Sequence, residues 1–91
     1  MKTVHLLISG KVQGVFYRAS AKDEAESLAI NGWIRNTENG SVEATITGSE
    51  EAIEQFINWC KQGPPQARVD HVAVTQKPDE GFREFKIIRG N

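Results

Sequence analysis

The residues of this chain with the clearest chemical potential lie in one nonapeptide, Gly10-Lys11-Val12-Gln13-Gly14-Val15-Phe16-Tyr17-Arg18. An apolar run, Val4 to Ile8, feeds into it, and an Ala- and Glu-rich run leaves it. A glycine-framed turn between a strand and a helix start presents backbone N–H groups that have no partner within the helix. The helix dipole adds partial positive charge at the same place. Arg18 puts a permanent cation in that turn, where the dipole disfavours positive charge unless an anion sits beside it. The segment therefore reads as a small cradle for a phosphate or a carboxylate.

The elements that must hold this cradle follow from local pattern. Val4, Leu6 and Ile8 alternate with polar or outward positions, which predicts a strand. From Tyr17 to Ile30 the Ala-rich helical spacing predicts a helix, closed by Asn31-Gly32 as a left-handed cap. Trp33 to Thr37 is a short strand, and Asn39-Gly40 within Glu38–Ser41 is a hairpin signal. Val42, Ala44 and Ile46 give the next strand one apolar face, with Glu43, Thr45 and Thr47 on the other. Ser49 is a good N-cap, and Glu50 and Glu51 suit a helix start. Ile53, Phe56, Ile57 and Cys60 then define a helix to about Gln62, stopped by Gly63-Pro64-Pro65. Val69 to Thr75 and Phe82 to Ile88 are the last strands. The order β-α-β-β-α-β plus a C-terminal strand predicts an α+β, ferredoxin-like split βαβ fold. An antiparallel sheet would carry two helices on one face and leave the other to water. The pairing of the C-terminal strand is open.

Ninety-one residues suit one domain, spanning 1–91, with a modest core. A net charge of −1 argues against binding nucleic acid or acidic membrane by bulk charge, so anion recognition must be local, through Lys11, Arg18, Lys22 or Arg35. Cys60 is the only cysteine, which excludes an intramolecular disulfide and a cysteine-based metal site. The first apolar run is too short for a signal peptide or a membrane span, and the expected location is the cytoplasm. His5 and His71 fall on the open-face phase of their strands with no carboxylate cluster around them, so no metal site is expected.

A second segment sharpens the reading: Gly32-Trp33-Ile34-Arg35-Asn36, followed by Gly40-Ser41-Val42 and Gly48. Alone, Asn36 reads equally well as a turn residue. Together the two segments resemble the acylphosphatase family. Its signature Gly-x-Val-Gln-Gly-Val-x-aromatic-Arg matches Gly10, Val12, Gln13, Gly14, Val15, Tyr17 and Arg18. Its second pattern matches Gly32, Trp33, Arg35, Asn36, Gly40, Val42 and Gly48. Ile34 is a conservative departure from the Val, Ala or Cys more common there. The resemblance covers the whole chain and implies hydrolysis of a carboxyl-phosphate anhydride to carboxylate and phosphate. It implies that Arg18 and the loop amides of Gln13, Gly14, Val15, Phe16 and Tyr17 bind the phosphate. It further implies that Asn36 holds the attacking water, and that no metal or organic cofactor takes part. The expected partner is a small-molecule acyl phosphate, with no nucleic acid and no membrane, and the expected state is a monomer.

A competing reading is a non-catalytic module of the same fold that binds an anion, a nucleic acid or a partner protein. RNA-binding sheets of this order stack bases on aromatics of the first and third strands. Here those strands, Thr3–Ser9 and Val42–Thr47, carry none, and Glu43 repels phosphate.

Overall fold

The computed structural model describes residues 1–89; the last two residues of the expected 1–91 domain lie outside the described residues. Its elements are β1 (Lys2–Lys11), α1 (Tyr17–Ser27), β2 (Asn31–Asn36), β3 (Val42–Gly48), α2 (Glu50–Gln62), β4 (Arg68–Lys77) and β5 (Phe85–Ile88). The strands form one sheet in the order β4-β1-β3-β2-β5. β1 pairs antiparallel with β3 and β4, and β2 pairs antiparallel with β3. The ferredoxin-like α+β arrangement is as expected, with one correction. β5 adds to the edge beside β2 in the parallel sense, so the sheet is mixed rather than wholly antiparallel. The strand before β5, β4, lies at the far edge of the sheet. The chain must therefore cross the end of the sheet, and it returns running alongside β2.

The inner face carries the alternating apolar residues of the strands. Val4, Leu6, Ile8, Val42, Ala44, Ile46 and Ile34 are fully buried against Ala21 and Ala25 of α1 and Ile53, Phe56 and Cys60 of α2. Helix α2 starts as its sequence dictates. Ser49 Oγ accepts from the Ala52 N–H at 3.1 Å, and Glu50 and Glu51 lie in the first turn. At its other end the Gly63 N–H donates to Trp59 O at 2.8 Å.

The outer face is more covered than its polar composition suggests. Thr3 and Thr47 share a hydrogen bond of 2.6 Å, and Glu80 of the crossing segment bonds to both through its backbone at 3.2 Å. Next to them His5 Nε2 lies 2.9 Å from Glu43, whose other carboxylate oxygen accepts from Arg35. Arg35 also stands over the Trp33 ring at 5.6 Å. Burial alone would raise the Glu43 carboxyl, but the hydrogen bonds from His5 and Arg35 outweigh it and hold the group below the usual carboxylate range. Trp33 is thus a lid on the outer face, not a core residue.

Helix α1 ends earlier than its pattern predicts. Its last residue is Ser27, and the left-handed residue that closes it is Ala29 (φ 56°), not Asn31 or Gly32, which already belong to β2. The Ile30 N–H reaches Ala25 O at 2.8 Å and the Ala29 N–H reaches Glu26 O at 3.2 Å, the two bonds of a Schellman cap. An L-residue with a Cβ is strained in this conformation by roughly 1–2 kcal/mol, and Ala29 is exposed, so its methyl gains no packing in return. Ala29→Gly is therefore expected to stabilise the fold by about 0.5–1 kcal/mol, after the extra unfolded-state entropy of glycine is deducted. Thermal unfolding should show a rise in Tm of a few degrees.

Gly32 has a different task. Its φ is 148°, and a Cβ there would stand 2.0 Å from Thr45 O on β3. Only glycine lets β2 approach β3 closely enough to pair from Asn31 to Asn36.

Candidate functional site

β1, β2 and β5 run in the same direction, so the segments that follow them emerge at one end of the sheet. The register fixes this end. Ile8 and Asn36 both pair with Val42, and Arg35 pairs with Ile88. The loop after β1, the last residue of β2 and Arg89 after β5 therefore converge. Two adjoining clefts of roughly 400 Å³ each open there, and Arg18, Asn36 and Arg89 line both.

The cradle loop is held by side chains that point inward. Val12, Val15 and Tyr17 are almost fully buried, and the Tyr17 hydroxyl donates to Cys60 O at 2.7 Å. Burial, followed by the neighbouring Cys60, pushes the Tyr17 phenol far up, so it stays neutral. Burial also pushes the Cys60 thiol up to about 12, which leaves it an unreactive core residue. Between these anchors Gly14 (φ 74°) and Phe16 (φ 64°) are left-handed. Left-handed residues spaced in this way turn successive N–H groups toward a common point, the geometry of an anion-binding nest. Among the described residues no backbone N–H from Gln13 to Arg18 donates to a protein acceptor. Helix α1 starts at Tyr17, its N-cap Phe16 supplies no side-chain cap, and its first turn holds no acidic residue. The amides, the helix terminus and Arg18 therefore lie together at this end of the sheet.

Gly10 is not part of it. It lies within β1, at an irregularity in the pairing with β4, and a Cβ there would meet Arg68 O at 2.1 Å. The glycine that opens the motif is spent on strand contact.

Gln13 joins the two motifs. Its side-chain amide donates to Thr37 O at 2.9 Å and Ser41 O at 2.8 Å. These carbonyls close the β2–β3 hairpin, in which the Thr37 N–H donates to Ser41 O at 2.9 Å and the Gly40 N–H to Thr37 O at 3.3 Å. Thr37 Oγ1 also accepts from the Ser41 N–H at 3.0 Å. The hairpin begins one residue after Asn36, so the Gln13 bridge fixes Asn36 relative to the cradle.

Asn36 itself carries an anomaly. Its Oδ1 is buried, with no hydrogen-bond partner among the described residues. Buried polar atoms are almost always paired, and this orphan acceptor belongs to a residue that lines both clefts. Arg18 has no carboxylate within ion-pair distance among the described residues. Arg35, by contrast, is committed to Glu43 and Trp33 and only edges one cleft. Arg89 is a cation that the sequence pattern misses. It follows the last strand, and only the parallel pairing of β5 with β2 reveals where it stands.

The chain is similar to known proteins along almost its whole length. The acylphosphatase family model matches residues 4–87. An acylphosphatase of Thiobacillus denitrificans is 48% identical over 86 residues, covering 92% of this chain and 97% of its own length. An acylphosphatase of Methylococcus capsulatus is 44% identical over 90 residues, covering 98% of each chain. The crystal structure of an acylphosphatase from Bacillus subtilis superposes with a TM-score of 0.95 at 32% identity, covering 98% of this chain and 100% of the other. On these grounds the chain belongs to the acylphosphatase family, the hydrolases that act on acyl phosphates.

Proposed function

We propose that the phosphate of an acyl phosphate is bound by Arg18 and the amides of Gln13 to Tyr17, and that Asn36 aims the attacking water. The observation that carries this reading is the unpartnered, buried Asn36 Oδ1 beside Arg18 and the free amides. Oδ1 accepts a hydrogen from water, while the carboxamide N–H₂ remains available to a phosphate oxygen. The water oxygen bonds to phosphorus as the phosphorus–oxygen bond to the acyl group breaks. The carboxylate leaves with the electron pair, and the proton lost by the water passes to a phosphate oxygen. The products are a carboxylate and dihydrogen phosphate.

Such a leaving group has a conjugate acid of pKa about 4, so it departs without a proton donor. The barrier is then one of positioning and charge. Fixed donors and cations lower it without a general acid. With Arg18 and Arg89 facing the clefts, the chain's own cations supply the neutralisation, and the reaction is assigned as metal-independent. The test is hydrolysis of benzoyl phosphate by the purified protein with and without EDTA. Turnover is expected in both. Absence of turnover would overturn the reading, and inhibition by EDTA that a divalent ion reverses would overturn its metal independence.

A further inference from the structure

Phe16 is the residue at this site that the fold does not explain. It is bulky, left-handed (φ 64°, ψ 26°) and 76% exposed. A left-handed position favours Gly or Asn, and a large aromatic there is an outlier that raises the question of function. The fold uses only its backbone, since its carbonyl accepts the Ser20 N–H at 3.1 Å. The ring packs into no core cluster and stands exposed in water.

Its placement answers the question. Of the two clefts that meet at Arg18 and Asn36, one is edged by Arg35, Thr37, Glu38 and Ile88 and the other by Phe16, Ala19 and Ile87. The first sets its one aliphatic side chain, the exposed Ile88, among Arg35 and the Glu38 carboxylate, and that carboxylate repels the carboxylate product as it forms. The second offers an aromatic face, a methyl group and a half-buried aliphatic side chain. A phosphate held between them can direct its acyl group only outward along one of the clefts.

We infer that Phe16 is a specificity residue whose ring contacts the acyl group and favours acyl phosphates with aromatic or extended apolar acyl chains over short ones. This inference rests on the acyl phosphate reading above. Aromatic pairing of this kind contributes enough to move a selectivity ratio by about five- to tenfold.

The experiment compares kcat/KM for benzoyl phosphate and acetyl phosphate in the wild type, Phe16→Asn and Phe16→Leu. Asn accepts the left-handed backbone, so it removes the ring while suiting the loop conformation. Leu keeps an apolar side chain without the aromatic face. The benzoyl-to-acetyl ratio is expected to fall about fivefold or more in Phe16→Asn and to take an intermediate value in Phe16→Leu. An unchanged ratio in Phe16→Asn, whatever happens to the absolute rates, would overturn the inference. A change in loop geometry alone lowers both substrates together and so leaves the ratio where it was. A wild type that hydrolyses neither substrate would instead remove the acyl phosphate reading, and the inference with it.

Discussion

Arg18→Ala is expected to lower kcat/KM for benzoyl phosphate by about 10²–10³-fold, a loss of roughly 3–4 kcal/mol of transition-state stabilisation. Inorganic phosphate should lose its inhibition in the same variant, because the guanidinium is assigned to the ground state as well as to the transition state. Arg18 stands in the first turn of α1 with no acidic partner among the described residues. Removing it deletes a charge that the helix dipole disfavours, so the variant should fold at least as well as the wild type. Loss of activity with an unchanged or raised Tm is therefore the expected pair of results. Arg18→Lys should recover little, since an ammonium lacks the planar fork that engages two phosphate oxygens at once. Near-normal turnover by Arg18→Ala, measured with benzoyl phosphate, would remove Arg18 from the site.

Asn36→Ala should separate binding from chemistry. The expected result is a fall in kcat of about 100-fold, with the inhibition constant of inorganic phosphate changed by no more than about threefold. Asn36 Oδ1 has no protein partner among the described residues, so its removal breaks no hydrogen bond to them through that atom and should cost little stability. Asn36→Asp keeps the shape but turns a negative charge toward the phosphate, and it should lose phosphate binding together with turnover. If phosphate affinity in Asn36→Ala fell in step with kcat, Asn36 would be a phosphate ligand and the water would need another holder.

Most of the elements were legible because the rules that set them are local. Alternation at Val4, Leu6 and Ile8, the Ser49 cap and the Asn39-Gly40 hairpin each depend on neighbours in sequence, and each forms where the pattern puts it. The end of α1 was misplaced because Asn31-Gly32 carries the usual cap chemistry. The cap falls on Ala29 instead because β2 needs Asn31 and Gly32 for its pairing with β3, and tertiary pairing outweighs local preference. The place of Trp33 depends on tertiary context for a related reason. Its hydrophobicity is local information, but the Arg35 and His5 side chains that make it an outer-face lid are brought to it by the sheet.

The site divides in the same way. The sequence by itself determined the chemistry on offer. A glycine turn before a helix supplies unpaired amides, Arg18 supplies a fixed cation, and the two motifs together identify the family. Only the tertiary structure decided what meets what. β1, β2 and β5 run in the same direction, and this brings Asn36 and Arg89 to the mouth of the cradle. Gln13 spends its side chain on the hairpin carbonyls, and Gly10 serves the β1–β4 contact rather than the anion site. The Asn36 oxygen becomes an orphan only once the sheet and hairpin have closed around it. Amide geometry, helix starts and turn chemistry are short-range and can be read along the chain. Strand register and the burial of one oxygen are set by residues far apart in sequence, and they exist only in the folded molecule.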